Sequence, residues 1–295
     1  MSVYADPALK PKLDPSFYSL RPDERIFFQK LTGIQDEEAL KEHIIAVQAK
    51  AYAIYGYPCI RRFSFIKLKI ARQPAYKYAL KLLQDHKDPI LLDIGCCFGN
   101  DTRKAVVDGW PVQNVIASDL QQGFWDYGHE LFKSTPESFP AAFIAGDVFD
   151  PAMLTISPTS DLDTSTPLPS LNTLTSLTPL ARRVSAIHAS AFFHLFSETR
   201  QLELALRLAA LLLPEKGSLI FGQHISRPER GLLGGRMFCH SPDSWRELWT
   251  KGIFGPNLGV TVEVDAALIE VDTGRETTES WLDKFHLMRW AVRVI

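Results

Sequence analysis

Cysteine is scarce: Cys59, Cys96, Cys97 and Cys239 are the four in 295 residues, too few and too scattered for a disulfide framework. Cys96 and Cys97 are neighbours, whereas a zinc-ligating pair typically has two to four residues between its thiolates, so no metal site is expected there. Excess charge is also missing. Thirty-two Lys and Arg stand against 34 Asp and Glu, a formal net charge of -2, which gives no electrostatic reason to bind nucleic acid or an anionic membrane. No stretch reaches the roughly 18 apolar residues of a membrane span. The opening MSVYADPALKPKLDPSFYSL lacks the apolar core of a signal peptide. A soluble cytoplasmic protein is the expectation, and with 46% hydrophobic residues it can bury one large domain, or one domain and a small cap.

What is present is an alternation of strand and helix patterns. Residues 1 to about 35 are Pro-rich and polar and read as an arm. From Asp36 the spacing of Leu40, Ile44, Val47, Ala51 and Ile54 predicts a helix capped by Asp36, and a second is expected near Pro74 to Asp85. Residues 1–75 thus read as an arm and helical cap, and 76–295 as the main domain. Within it PILLDIG, NVIASDL, AAFIAGDVF, RVSAIHAS and GSLIFGQHI read as five buried strands. Apolar runs of this kind suit a parallel sheet covered on both faces. SETRQLELALRLAALLL is an amphipathic helix with Ser197 at its start, SPDSWRELW is helical, and VTVEVDAALIEVD and HLMRWAVRV alternate like antiparallel strands. Thr155 to Thr178, rich in Ser, Thr, Pro and Leu, reads as a surface insertion that cofactor binding does not need.

The first strand breaks into LLDIGCCFGN. Glycines at the first, third and sixth places would mark a dinucleotide loop, but counting from Gly95 those places hold Cys97 and Asn100, and no Gly-Lys-Ser/Thr ending marks a Walker loop. What stands there is Asp93, then Gly95, then Gly99. An aspartate beside a tight turn repels phosphate and suits an ammonium, while the amides opening the next helix suit a carboxylate. Those two groups describe an amino acid. Asp119, 26 residues on at the end of the second strand, is placed to accept from both ribose hydroxyls, with Leu120 beside it. Asp147 in GDVF can accept from an exocyclic adenine amine while Val148 and Phe149 cover the ring. Together these are the parts of S-adenosylmethionine (SAM). Cys96 and Cys97 lie in the same turn as packing residues.

DIGCCFG, the acid closing the second strand, GDVF and the antiparallel final strand resemble class I SAM-dependent methyltransferases. YPCIRRFSF, DGWP, HASAFFHLF and FCHSPDSW further resemble fungal small-molecule methyltransferases of terpenoid and polyketide pathways, several of which esterify carboxylic acids. The resemblance runs from about Phe17 to the C-terminus, apart from Thr155 to Thr178. It implies an α/β Rossmann-like fold, a seven-stranded, mostly parallel sheet in the order 3-2-1-4-5-7-6, with the seventh strand antiparallel.

Methyl transfer needs water excluded, the nucleophile aligned and, for a hydroxyl, one proton managed. In this fold the acceptor lies above the fourth and fifth strands. Ser190 is expected to line the cofactor pocket through its backbone, and His194 and His240 are the catalytic candidates for orienting the acceptor or taking its proton. His188 reads as structural, and Arg61 and Arg62 as a solvated pair. His224, Gln223, Arg236 and Trp245 are further lining candidates, and Trp110, Phe124 and Trp125 read as core. The expected function is O-methylation of a small-molecule carboxylate or phenol. The alternative is a protein of this fold that binds SAM without transferring its methyl group. A nucleic-acid substrate is disfavoured, because HASAFF after the fourth strand offers no planar amide clamp for a flipped base.

Overall fold

A computed structural model describes residues 10–156, 167–254, 260–272 and 284–295. Five strands run parallel: β1 (Leu91–Ile94), β2 (Val115–Asp119), β3 (Ala142–Ala145), β4 (Ala186–His188) and β5 (Leu219–Ser226). Their apolar runs are buried on both faces; every residue of β1 and of β4 is buried. β6 (Gly231–Leu233) and β7 (Met237–Cys239) form a separate hairpin. β8 (Val262–Asp272) and β9 (Lys284–Val294) close the main sheet, β9 antiparallel to both β5 and β8. The order is β3-β2-β1-β4-β5-β9-β8, which with the hairpin set aside is the 3-2-1-4-5-7-6 order of class I methyltransferases.

The helices are α1 (Pro22–Thr32), α2 (Glu37–Ile54), α3 (Pro58–Arg61), α4 (Tyr76–Asp85), α5 (Asn100–Val107), α6 (Gln122–Leu131), α7 (Glu198–Leu211) and α8 (Pro242–Glu247). Asp36 caps α2 by accepting from the Ala39 N–H at 2.8 Å, and Ser197 caps α7 by accepting from the Arg200 N–H.

The N-terminal arm is a correction. Pro22 opens α1, Gly33 closes it in the left-handed conformation, and Phe27 and Phe28 are buried. Its proline-rich flanks hid a helix whose apolar stripe is short. Phe28 stacks on Phe132 with ring centroids 5.0 Å apart, and α2 lies along α6, so one apolar cluster joins α1 and α2 to Phe98, Phe124, Leu131 and Phe132 of the sheet-bearing part. On the opposite face of the sheet, α7, α8 and β9 gather Phe193, Trp245, Trp249 and Trp290 into a second core.

The segment from Thr155 to Thr178 is a second correction. Residues 157–166 lie outside the described residues, but 167–178 do not lie loosely on the surface. Leu171 and Leu177 are buried in the α7 core, and Leu177 donates its N–H to Met153 O. Without helical period, these leucines gave no pattern from which docking could be read.

Candidate functional site

The order β3-β2-β1 sets the carboxyl ends of three neighbouring strands side by side. Asp93, Asp119 and Asp147 therefore come to one edge of the sheet, although they are far apart in the chain. After β1 the backbone turns through the left-handed region at Gly95 (φ +69°), Cys97 (φ +51°) and Gly99 (φ +69°). A β-carbon at Gly95 would stand 2.7 Å from the Phe192 ring, and one at Gly99 2.5 Å from Trp125, so both positions need glycine for space as well as for conformation. Cys97 tolerates the turn because its N–H is tied to Asp119 Oδ2 at 2.9 Å. Cys96 packs against Ala117 and Trp125. Burial pushes both thiols well up, which keeps them as packing groups rather than thiolates.

Asp119 is half-buried, and burial raises its carboxyl, opposed by the Gln121 and Cys97 N–H groups it accepts. Each oxygen carries one such bond and retains acceptor capacity. Leu120 beside it is 57% exposed, an apolar face on the same edge. Asp147 is exposed, and one of its oxygens accepts from the Phe149 N–H at 2.9 Å. Val148 is buried, and the Phe149 ring lies edge-to-face on Phe196 with the Arg200 guanidinium 4.4 Å away. The donors and acceptors are a turn with glycines that admit close approach, a half-buried acid with spare acceptor capacity and a second, exposed acid, a set that fits the groups of an adenosyl amino acid.

Asp93 has different partners from those its sequence position suggests. It is buried, with Oδ2 accepting from Thr102 Oγ1 at 2.6 Å and Oδ1 meeting His188 Nδ1 at 2.9 Å. The reason is register. Asp93 and His188 are Cα partners across β1 and β4 and point to the same face. The first turn of α5 is also committed, in part to the cap: Asn100 donates to Phe65 O, and Asp101 accepts from the Ile70 N–H at 2.9 Å.

At the ends of β4 and β5 the structure gathers histidines that sequence reading could only consider singly. His194 lies in a 3-10 turn (Phe193–Leu195) rather than at the start of α7, and its Nδ1 accepts from the Ile225 N–H. His240 Nδ1 lies 2.9 Å from Ser244 Oγ. Burial lowers both imidazoles to about 4, so both are neutral at pH 7. His224 is a neighbour of both. Trp290 donates to its Nδ1 at 2.9 Å, which leaves the proton of this neutral ring on Nε2. Burial first, then its two histidine neighbours, hold His224 far below its ordinary range. Trp245 touches His224 and His240 with ring centroids 4.7 and 5.3 Å away.

Sequence reasoning missed Thr102 and Gln73. Gln73 Nε2 donates to Gln223 Oε1 at 2.9 Å across 150 positions, a contact that no local pattern announces. Arg61 and Arg62 are not a solvated pair: both guanidiniums lie over the Phe17 ring, 5.4 and 5.5 Å from its centre. Trp110, Phe124 and Trp125 are core, as expected.

Residues 13–66 match the model of the meroterpenoid methyltransferase N-terminal domain. The chain is 34% identical to O-methyltransferase phiE of a fungal species over 222 residues, 72% of this chain and 65% of that protein, just short of two thirds of its length. It is 30% identical to methyltransferase trt5 of Aspergillus terreus, covering 77% of this chain and 75% of the relative. Against methyltransferase ausD of Penicillium brasilianum the identity is 32%, over 71% and 68% of the two chains.

Proposed function

Because the chain belongs to the fungal SAM-dependent methyltransferase family that includes trt5 and ausD, we propose that it methylates an oxygen of a small secondary-metabolite substrate, a carboxylate or a phenol. The bound cofactor supplies the activated methyl group. Asp119 holds the ribose hydroxyls, the Gly95–Gly99 turn and the opening amides of α5 hold the amino-acid end, and Leu120, Asp147 and Val148 hold the adenine. Asp93, closed in by Thr102 and His188, acts on the ammonium only through its charge. The acceptor lies beyond the ends of β4 and β5, where Trp245 and its histidines border it.

The observation that carries the oxygen reading is a hydrogen bond: His194 Nδ1 accepts from the Ile225 N–H, so the neutral ring keeps its proton on Nε2 as a donor, which suits an acceptor oxygen with spare lone pairs. The name of phiE, an O-methyltransferase, supports the same atom.

The test is incubation of the purified protein and SAM with a panel of aromatic carboxylic acids and phenols, read by mass spectrometry for a one-methyl gain and for demethylated cofactor. Mild alkali then cleaves a methyl ester and spares a methyl ether. Products methylated on nitrogen or carbon, or no demethylated cofactor with any acceptor, would overturn the reading.

A further inference from the structure

Ser190 Oγ lies 2.7 Å from His188 Nε2, His188 Nδ1 lies 2.9 Å from Asp93 Oδ1, and Thr102 Oγ1 donates to Asp93 Oδ2 at 2.6 Å. All four side chains are at least nine-tenths buried. With His188 donating from Nδ1 to Asp93 Oδ1, its Nε2 carries the lone pair and the Ser190 hydroxyl donates to it. The backbone supports this order. The Gln223 N–H donates to Ser190 Oγ at 3.3 Å, and Ala191 is held at φ +56°, an uncommon conformation for a residue with a side chain, by its own N–H to Gln223 O. One lone pair of Ser190 Oγ is left without a partner. The next aromatic, Phe192, lies against Gly95, so this turn reaches the cofactor loop itself.

We infer that Ser190, backed by His188 and Asp93, is the proton acceptor for acceptors that arrive as hydroxyls, a role resting on the methyl-transfer reading above. As the acceptor oxygen forms its bond to the transferred methyl carbon, the carbon–sulfur bond of the cofactor breaks and its electron pair stays on sulfur. The acceptor's O–H proton passes to Ser190 Oγ, whose own proton passes to His188 Nε2. Asp93 holds the resulting imidazolium until the proton leaves to solvent. Ser190 touches the acceptor; His188 and Asp93 are positioning residues. His194 is excluded from this task by its low basicity. The charged and titratable groups facing His188 are Asp93 on β1 and Asp101 on α5, with Lys69 of the covering segment acting on Asp101. Burial raises Asp101, and the Lys69 charge opposes that rise.

The experiment uses the whole 295-residue chain with the best phenol from the panel. Ser190→Ala and His188→Asn should lower kcat by about 10²-fold near neutral pH. They should leave affinity for demethylated cofactor, measured by calorimetry, within twofold. In the variants kcat should follow ionisation of the phenol, so the deficit shrinks in alkali. A merely structural role would lower the rate equally at every pH. Equal deficits at every pH, or wild-type turnover in Ser190→Ala, would each overturn the inference. A panel in which only carboxylates are methylated would overturn it too, while leaving methyl transfer standing. No methylation of any acceptor would instead remove the reading on which it rests.

Discussion

A buried imidazole that stays neutral stabilises a fold in a pH-dependent way. His240 is 4% exposed and, like His194, is lowered to about 4 by burial, against about 6.5 in an unfolded chain. The folded-state value is depressed, so between about 6.5 and 4 the unfolded chain binds the extra proton. The contribution is therefore complete above pH 6.5 and is lost as pH falls towards 4. The urea midpoint should drop from pH 7 to pH 5, and His240→Asn, less stable at pH 7, should drop less. Asp101 and Asp119, raised by burial, work in the opposite sense but are common to both proteins and cancel in the comparison. Parallel midpoint curves for wild type and variant would show that His240 does not titrate on unfolding. At this scale the acids were legible in the sequence, because a strand ending in Asp before a turn is a local pattern. Which way Asp93 points was not. That depends on the β1–β4 register, which pairs it with His188, 95 positions away.

Secondary elements were legible wherever burial imposed a period. β1, β2, β4 and β5 are buried runs, and α7 has a clean apolar stripe. Legibility failed where an apolar residue docks without a period. Leu177 is one such case: it is fully buried in the same apolar cluster as α7, in a chain segment with almost no regular structure. Leu177→Ala should cost about 2–5 kcal/mol, because the rigid α7 core cannot collapse onto the space left behind. Thr175, two residues earlier and exposed, should tolerate alanine within about 0.5 kcal/mol. Denaturant titration of the two variants decides it. Equal stabilities would mean that the segment is as peripheral as its composition suggested.

The molecule as a whole does not divide where its sequence changes character. Reading 1–75 as a cap and 76–295 as a domain places a boundary through one apolar cluster: Phe27, Phe28, Ile44 and Val47 come from one side, Phe98, Phe124, Leu131 and Phe132 from the other. Polar ties cross it too. Lys50 pairs with Glu130, His43 bonds to Leu131 O, and Asn100 and Asp101 hold the 65–70 segment. Inside the cap, Glu24 is fully buried and holds both Lys67 and Arg72, fastening α1 to the 67–72 segment. Removing residues 1–75 would expose four large side chains, at about 1.5–3 kcal/mol each. That loss is of the same order as the whole stability of an ordinary domain, roughly 5–15 kcal/mol. The fragment 76–295 should therefore lack a cooperative thermal transition and should not bind demethylated cofactor, although every acid assigned to the cofactor lies within it. A fragment that melts cooperatively near the melting temperature of the 295-residue chain would show that α6 finds other cover. Failure of both properties would mean that the cap belongs to the fold, so that the Gly95–Gly99 turn, whose Phe98 packs against Phe65 and Phe124, is built only when the cap is in place.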